Sequence, residues 1–195
     1  MWTVIVPVKP AEIGKSRLGA DPGLVRAIVL DTVDAALAAR RVNRVLVVTA
    51  EPGLDTAAEL VTEPAPTGLA AAIATGLAVA DPDAPRAVLL GDLPSLRPGD
   101  LDDALHRAEA VPAGFVADRD GTGTTLVTAL AGVELRHAFG AGSARRHREL
   151  GIAEIVLPAG STLPLDVDTP EHLAATVGLG RRTVAALGAG VVLGG

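Results

Sequence analysis

Three stretches of this chain, WTVIVPV (residues 2–8), RVLVVTA (44–50) and RAVLLGD (86–92), are continuously apolar for four to six residues. A strand with one wet face alternates apolar and polar positions, whereas a run without alternation is dry on both faces. Strands of that kind belong inside a parallel sheet covered by helices, and the intervening sequence supplies the helices. LVRAIVLDTVDAALAARR (24–41) sets Val25, Val29, Leu30, Val33, Ala36 and Leu37 on roughly one helical face, with Arg26 the exception. GLAAAIATGLAVA (68–80) and GDLDDALHRAEA (99–110) are helical too, the latter with Asp100, Asp102 and Asp103 in its first turn, where the helix dipole favours them. A last helix starts at Thr169-Pro170-Glu171, with Thr as cap and Pro in the first position.

Strand and helix alternate up to about residue 110, which predicts a doubly wound α/β fold with helices on both faces of a mostly parallel twisted sheet. Beyond it GFVAD (114–118), TTLVTA (124–129) and AEIVLP (153–158) follow at shorter spacing, which predicts a mixed or antiparallel edge. No repeat or linker breaks the pattern. The expectation is one domain over residues 1–180 with a C-terminal tail, 181–195. Aromatic residues are only 2% of the chain, so Val, Leu, Ile and Ala must build the core. Cysteine is absent, which removes disulfides, thiolate metal sites and cysteine nucleophiles. A net charge of −6 and few aromatic platforms argue against nucleic-acid binding. The N-terminus lacks the pattern of a signal peptide, and the apolar TVAALGAGVVLGG is too short to span a bilayer, so the expected location is cytoplasmic, without a membrane partner. Oligomeric state is not written in the pattern, and a homo-oligomer stays open.

In open α/β sheets ligands bind beyond the carboxyl ends of the strands. After the first strand, VPVKPAEIGKSRLG (6–19) carries the only lysines, Lys9 and Lys15, followed by Arg17. This loop is either a wrap for a polyphosphate or a solvated basic loop. It is not a P-loop, because the position five before Gly14 is Lys9 rather than glycine. LLGDLPSLRP (89–98) ends a buried run on Asp92, a carboxylate that needs either a divalent cation or a turn to cap. DRDGTGTTL (118–126) is an anion loop with Thr122, Thr124 and Thr125, or a DG hairpin turn. FGAGSARRHRELG (139–151) leads into a short helix with Ser143 as N-cap, an end that favours phosphate or carboxylate. Arg145, Arg146, His147 and Arg148 read mostly as a solvated face. In PLDVDTP (164–170), Asp166 and Asp168 lie on one side of an extended segment. One of them either shares a metal with Asp92 or, as Asp168, helps cap the helix at Thr169.

No serine triad or HExxH is present, and the histidines at 106, 137, 147 and 172 read as surface residues. Cationic loop, strand-end carboxylates and glycine loops suit phosphoryl or nucleotidyl transfer, where positioning and charge neutralisation dominate. A phosphate nucleophile, with a second pKa of about 6, needs no general base near neutrality.

VPVK…GKSRL, LDTVDAAL, LLGDLPSL, DGTGTTLV, FGAGSARRHRELG and DVDTPEHL occur in this order over most of the chain. Together they resemble the guanylyltransferases of deazaflavin coenzyme F-420 biosynthesis, which have a nucleotidyltransferase fold of the nucleotide-diphospho-sugar transferase type. The resemblance implies transfer of GMP from GTP to a three-carbon phosphoacid, with magnesium and release of pyrophosphate. The acceptor is phosphoenolpyruvate in actinobacterial relatives and 2-phospho-L-lactate in archaeal ones, and the Ala/Gly/Arg-rich composition favours the former. It further implies that Lys9, Lys15 and Arg17 hold the GTP phosphates, with Gly68 beside the nucleotide. Asp92 with Asp166 or Asp168 would hold magnesium, and Thr125, Gly140 and Ser143 the acceptor. Two departures stand out. Gly68-Leu69-Ala70 replaces the usual Gly-Leu-Asn, and the segment after Arg17-Leu18 is short. A sugar-phosphate or molybdopterin nucleotidyltransferase is the alternative enzyme, although VPVKP lacks the latter's glycine-rich start. A nucleotide-binding regulatory domain is the alternative of another class, supported by Ala70 alone.

Overall fold

A computed structural model describes residues 1–8, 21–51, 53–63 and 67–192. Its strands are β1 (Trp2–Pro7), β2 (Val42–Thr49), β3 (Glu59–Thr62), β4 (Arg86–Leu89), β5 (Ala113–Ala117), β6 (Thr124–Ala129) and β7 (Ala153–Glu154). The helices are α1 (Pro22–Ala38), α2 (Leu69–Val79), α3 (Pro98–Ala108), α4 (Ser143–Glu149), α5 (Pro170–Ala175) and α6 (Arg181–Val192). The strands form one sheet in the order β3-β2-β1-β4-β6-β5-β7. β3, β2, β1 and β4 are parallel; β6 runs against both β4 and β5, and β7 is parallel to β5.

The unbroken apolar runs do what their lack of alternation requires. Val4, Val6, Val45, Val47, Ala87 and Leu89 pack on one face against Val29, Val33 and Ala36 of α1 and Leu101, Ala104 and Leu105 of α3. Ile5, Leu46, Val48 and Val88 pack on the other against Ala72 and Ile73 of α2 and Ala144 of α4. Each buried aliphatic side chain contributes about 1.5–3 kcal/mol. Gly76 lets α2 sit close to the sheet: a Cβ there would lie 2.5 Å from Ile5 Cγ2 and 2.9 Å from Val48 Cγ2.

Two readings of the sequence need correction. β3 was not predicted, because ELVT is a short edge strand whose residues are mostly exposed and carry no apolar run. The run AEIVLP pairs as a strand only at Ala153–Glu154, and Val156 is exposed. The reversed strand β6 lies inside the sheet, and this matters for function. Because β6 runs backwards, its start rather than its end lies at the carboxyl ends of β4 and β5. The loop 118–123 therefore joins the rim where the parallel strands stop. No described helix is long and apolar enough to cross a membrane.

Gly76→Ala should destabilise the fold by about 1–3 kcal/mol through overpacking. Chemical denaturation measures this, and an unchanged midpoint would show that α2 can move away from the sheet.

Candidate active site

The rim is assembled from chain ends that backbone bonds hold together. β4 stops at Leu89, and Leu90 N–H donates to Thr125 O at 2.9 Å. The turn beyond is gripped by Thr32 of α1, whose Oγ1 lies 3.2 Å from Gly91 O and accepts from Leu93 N–H at 3.1 Å. Between those two contacts stands Asp92. Its carbonyl accepts from Val167 N–H at 2.9 Å, which brings the Asp166–Asp168 segment to Asp92 as the sequence suggested. Thr169 caps α5 by accepting from His172 N–H at 3.2 Å, so the cap at this helix start is the threonine side chain.

The acidic group is larger than the sequence indicated. Asp118 accepts from the N–H groups of Thr122 at 2.9 Å and Gly123 at 2.8 Å, shaping the hairpin loop. Arg119 donates to Asp166 O at 2.7 Å, and its Nε lies 3.9 Å from Asp166 Oδ1. Burial, then the charges of Asp168 and Asp118, push the Asp166 carboxyl up to about 6. Among the described residues no three acidic or histidine side chains form a ready-made metal cage. The donor chemistry nevertheless fits a hard cation: oxygen ligands, and a carboxylate whose ionisation its neighbours oppose.

On the same rim the chain buries a cluster of hydroxyls, those of Thr124, Thr125 and Ser143. Thr125 is buried and its Oγ1 has no hydrogen-bond partner among the described residues. Ser143 is not the N-cap of α4; Gly142 takes that place in a left-handed conformation, with φ 68°. Ser143 is instead the first helical residue, buried, and its hydroxyl donates to Thr124 Oγ1 at 3.0 Å. His147, one turn on, is 0% exposed, not a surface residue. Its Nε2 accepts from Ala138 N–H at 2.8 Å, which leaves the ring proton on Nδ1, 2.9 Å from Thr124 Oγ1. Burial, with His137 and Arg146 nearby, lowers its pKa to about 4, so the ring is neutral at pH 7. The solvated-face reading also fails for Arg146, which donates to the carbonyls of Ala138, Phe139 and Ala141 and so pins the loop containing Gly140. Gly140 has φ 109°, a conformation that favours glycine. Arg145 and Arg148 are exposed and pair with Glu149 and Glu154.

Gly68 precedes α2 with φ 132°, and no side chain caps that helix. Lys9, Lys15 and Arg17 lie outside the described residues. The described chain stops at Val8, bonded to Val48 O at 2.8 Å, and resumes at Asp21, the N-cap of α1. The sequence reading named neither Arg119 nor the buried role of His147. The signal for the histidine was its spacing four residues from Ser143, which puts both on one face of a helix.

An α/β sheet whose carboxyl rim gathers aspartates from two distant segments fits a nucleotidyltransferase, and comparison with known proteins agrees. The family model for the MobA-like NTP transferase domain matches residues 24–156. A nucleotidyl transferase from Methanothermobacter superposes with a TM-score of 0.64 at 19% identity, covering 97% of this chain and 99% of that one. A 4-diphosphocytidyl-2C-methyl-D-erythritol synthase gives 0.60 at 14%, covering 95% and 97%. These likenesses show the fold. The phosphoenolpyruvate guanylyltransferase of Streptomyces scabiei is 45% identical, over 95% of both chains. That of Geodermatophilus obscurus is 44% identical over 96% of this chain and 94% of its own. The chain belongs to the phosphoenolpyruvate guanylyltransferase family.

The two shifted groups give opposite pH slopes. Between its ordinary value of 3.8 and about 6, Asp166 keeps its proton in the folded chain and loses it in the unfolded one. Stability therefore falls as pH rises through that window, by at most about 3 kcal/mol. His147 does the reverse: below 6.5 the unfolded chain takes the proton first, so stability falls as pH drops toward about 4. Asp166→Asn removes only the first slope. Without divalent cations, its denaturation midpoint should gain on the wild type as pH rises from 4 to 7. A difference that stays flat across that range would reject the assignment.

Proposed function

We propose that this chain transfers GMP from GTP to phosphoenolpyruvate, releasing pyrophosphate, as a magnesium-dependent step in making the deazaflavin coenzyme F-420. Family membership supports the reaction. The observation that carries the site is the Val167–Asp92 backbone bond of 2.9 Å, which joins the two acidic segments. A phosphate oxygen of phosphoenolpyruvate attacks the α-phosphorus of GTP. The new P–O bond forms as the bond from the α-phosphorus to the bridging oxygen breaks, and pyrophosphate leaves with that electron pair. The attacking phosphate is largely dianionic near neutrality, with a second pKa of about 6, so no proton need be removed. His147, with a hydrogen bond at each ring nitrogen and a pKa lowered to about 4, is a weak base, consistent with a site that uses none.

The protein's work is positioning and charge balance. Lys9, Lys15 and Arg17 hold the triphosphate, and the backbone at Gly68 lies beside the nucleotide. Asp92 with Asp166 or Asp168 holds magnesium, which when bound supplies positive charge to the transferring and leaving phosphates. Thr125, whose hydroxyl has no partner among the described residues, meets the acceptor together with Gly140 and Ser143.

With magnesium, GTP and phosphoenolpyruvate the protein should release pyrophosphate, and 2-phospho-L-lactate should serve less well. Silence with both acceptors overturns the assignment. Asp92→Asn should lower turnover by roughly 100-fold or more while the fold is kept. Lys15→Ala should raise the KM for GTP or lower kcat.

A further inference from the structure

Glu63 is a buried carboxylate with an oxygen that no described residue satisfies. β3 pairs with β2 as far as Thr49 opposite Thr62, and the ladder runs one residue further, with Glu63 N–H donating to Thr49 O at 2.9 Å. Glu63 thus continues the strand's alternation. Val61 packs in the cluster of Ile5, Leu46, Val48 and Ile73. Glu63, two residues on, falls on that same face, the one α2 covers, just past the apolar cluster at the carboxyl end. It is 5% exposed, and its Oε1 is shielded from water with no hydrogen-bond partner among the described residues. A buried, unsatisfied carboxylate oxygen is costly to keep. Neighbouring glutamates are not left so: Glu51 pairs with Arg26, and Glu59 with Arg44 at 2.8 Å.

Its place on the rim matters as much as its lack of a partner. β3 lies three strands from β4 in the sheet order, roughly 14 Å at about 4.8 Å per strand. The Asp92 turn follows β4, so a nucleotide laid along the rim toward β3 with its phosphates there would bring its base to the side of Glu63. Guanine presents two adjacent donors on its pairing edge, N1–H and the 2-amino group, and an ionised carboxylate presents two acceptors. Adenine and cytosine place a ring acceptor beside their amine, and uracil flanks its N–H with carbonyls, so each turns a lone pair toward such a group.

Resting on the reaction proposed above, we infer that Glu63 selects the nucleotide, its carboxylate accepting from N1–H and the 2-amino group of guanine. A dry hydrogen-bonding site discriminates strongly, because a wrong partner leaves polar groups unpaired.

The test measures equilibrium binding and turnover of GTP, ITP and XTP by the wild type and Glu63→Gln. Hypoxanthine lacks the 2-amino donor, and xanthine replaces it with a carbonyl. The wild type should prefer GTP to ITP by at least about tenfold. In Glu63→Gln the new amide can donate to xanthine's carbonyl while its oxygen accepts N1–H. The XTP-to-GTP preference should therefore rise by about 100-fold or more, counting both the loss and the gain. A destabilised variant cannot imitate a gain for XTP. An unchanged XTP-to-GTP ratio, or a wild type that binds ITP as tightly as GTP, overturns the inference. Phosphoenolpyruvate-dependent pyrophosphate release by the wild type is scored separately. Its absence alongside a retained GTP preference would sink the reaction and keep the base reader, and the converse would sink Glu63 alone.

Discussion

The backbone hydrogen bond between Val167 and Asp92, 2.9 Å long, closes the carboxyl-terminal part of the chain onto the middle of the sheet. Much else is arranged around that point. Asp92 stands three residues past the last ladder residue of β4, where nothing in the sheet would hold it. Thr32 grips the turn from α1 beneath, and Leu90 ties its start to Thr125. An aspartate on an untethered loop would be solvated and mobile. One whose backbone is fixed from three sides is held beside the Asp166–Asp168 segment. The reversed direction of β6 completes the arrangement by delivering Asp118 and Arg119 to the same rim.

The two halves of the site solve opposite electrostatic problems. On the acidic side, burial and like charges make Asp166 reluctant to ionise, a penalty that a cation would relieve. On the other side, burial makes His147 reluctant to take a proton, and hydrogen bonds at both ring nitrogens hold it as a neutral spacer. That division would suit the anionic acceptor proposed above. A histidinium here would bind phosphate more tightly in the ground state without helping the transferring group. The ring instead orients Thr124, and through it Ser143.

The sheet was legible because an apolar run without alternation admits few environments, and β1, β2 and β4 lie where those runs predicted. The meeting of Asp92 with the Asp166–Asp168 segment was legible for a related reason: in a doubly wound fold ligands collect where strands end, and Asp92 closes a predicted strand while Asp168 directly precedes a predicted helix. What escaped the sequence was decided by tertiary partners. ELVT carries no apolar pattern, so only its pairing with β2 makes it a strand. SARRHRE looks like a charged surface helix, yet Phe115, Phe139 and Thr124 enclose His147. Ser143 has the right residue type for a cap, but Gly142 in its left-handed conformation takes that place, freeing the hydroxyl for Thr124.

The acids of this chain sort themselves by what satisfies them. Asp31 accepts from Arg182 and Thr183 N–H at 3.1 and 2.7 Å and so fixes the start of α6. Asp100 accepts from Thr162 at 2.8 and 2.6 Å. Asp102 accepts from Arg40 and Arg41 N–H at 3.0 and 2.8 Å. Each is a fastener between elements, and its charge is consumed by the fold. Asp166 and Glu63 are different in kind: one is held back from ionising by its neighbours, and the other keeps a buried oxygen with no donor among the described residues. Folding alone would select against both, since an apolar residue would cost less at either place. Both stand on the carboxyl rim of the sheet, at positions suited to the two ends of one extended ligand. A cation with phosphates answers the first and a base with paired donors answers the second, so the same nucleotide complex would satisfy both.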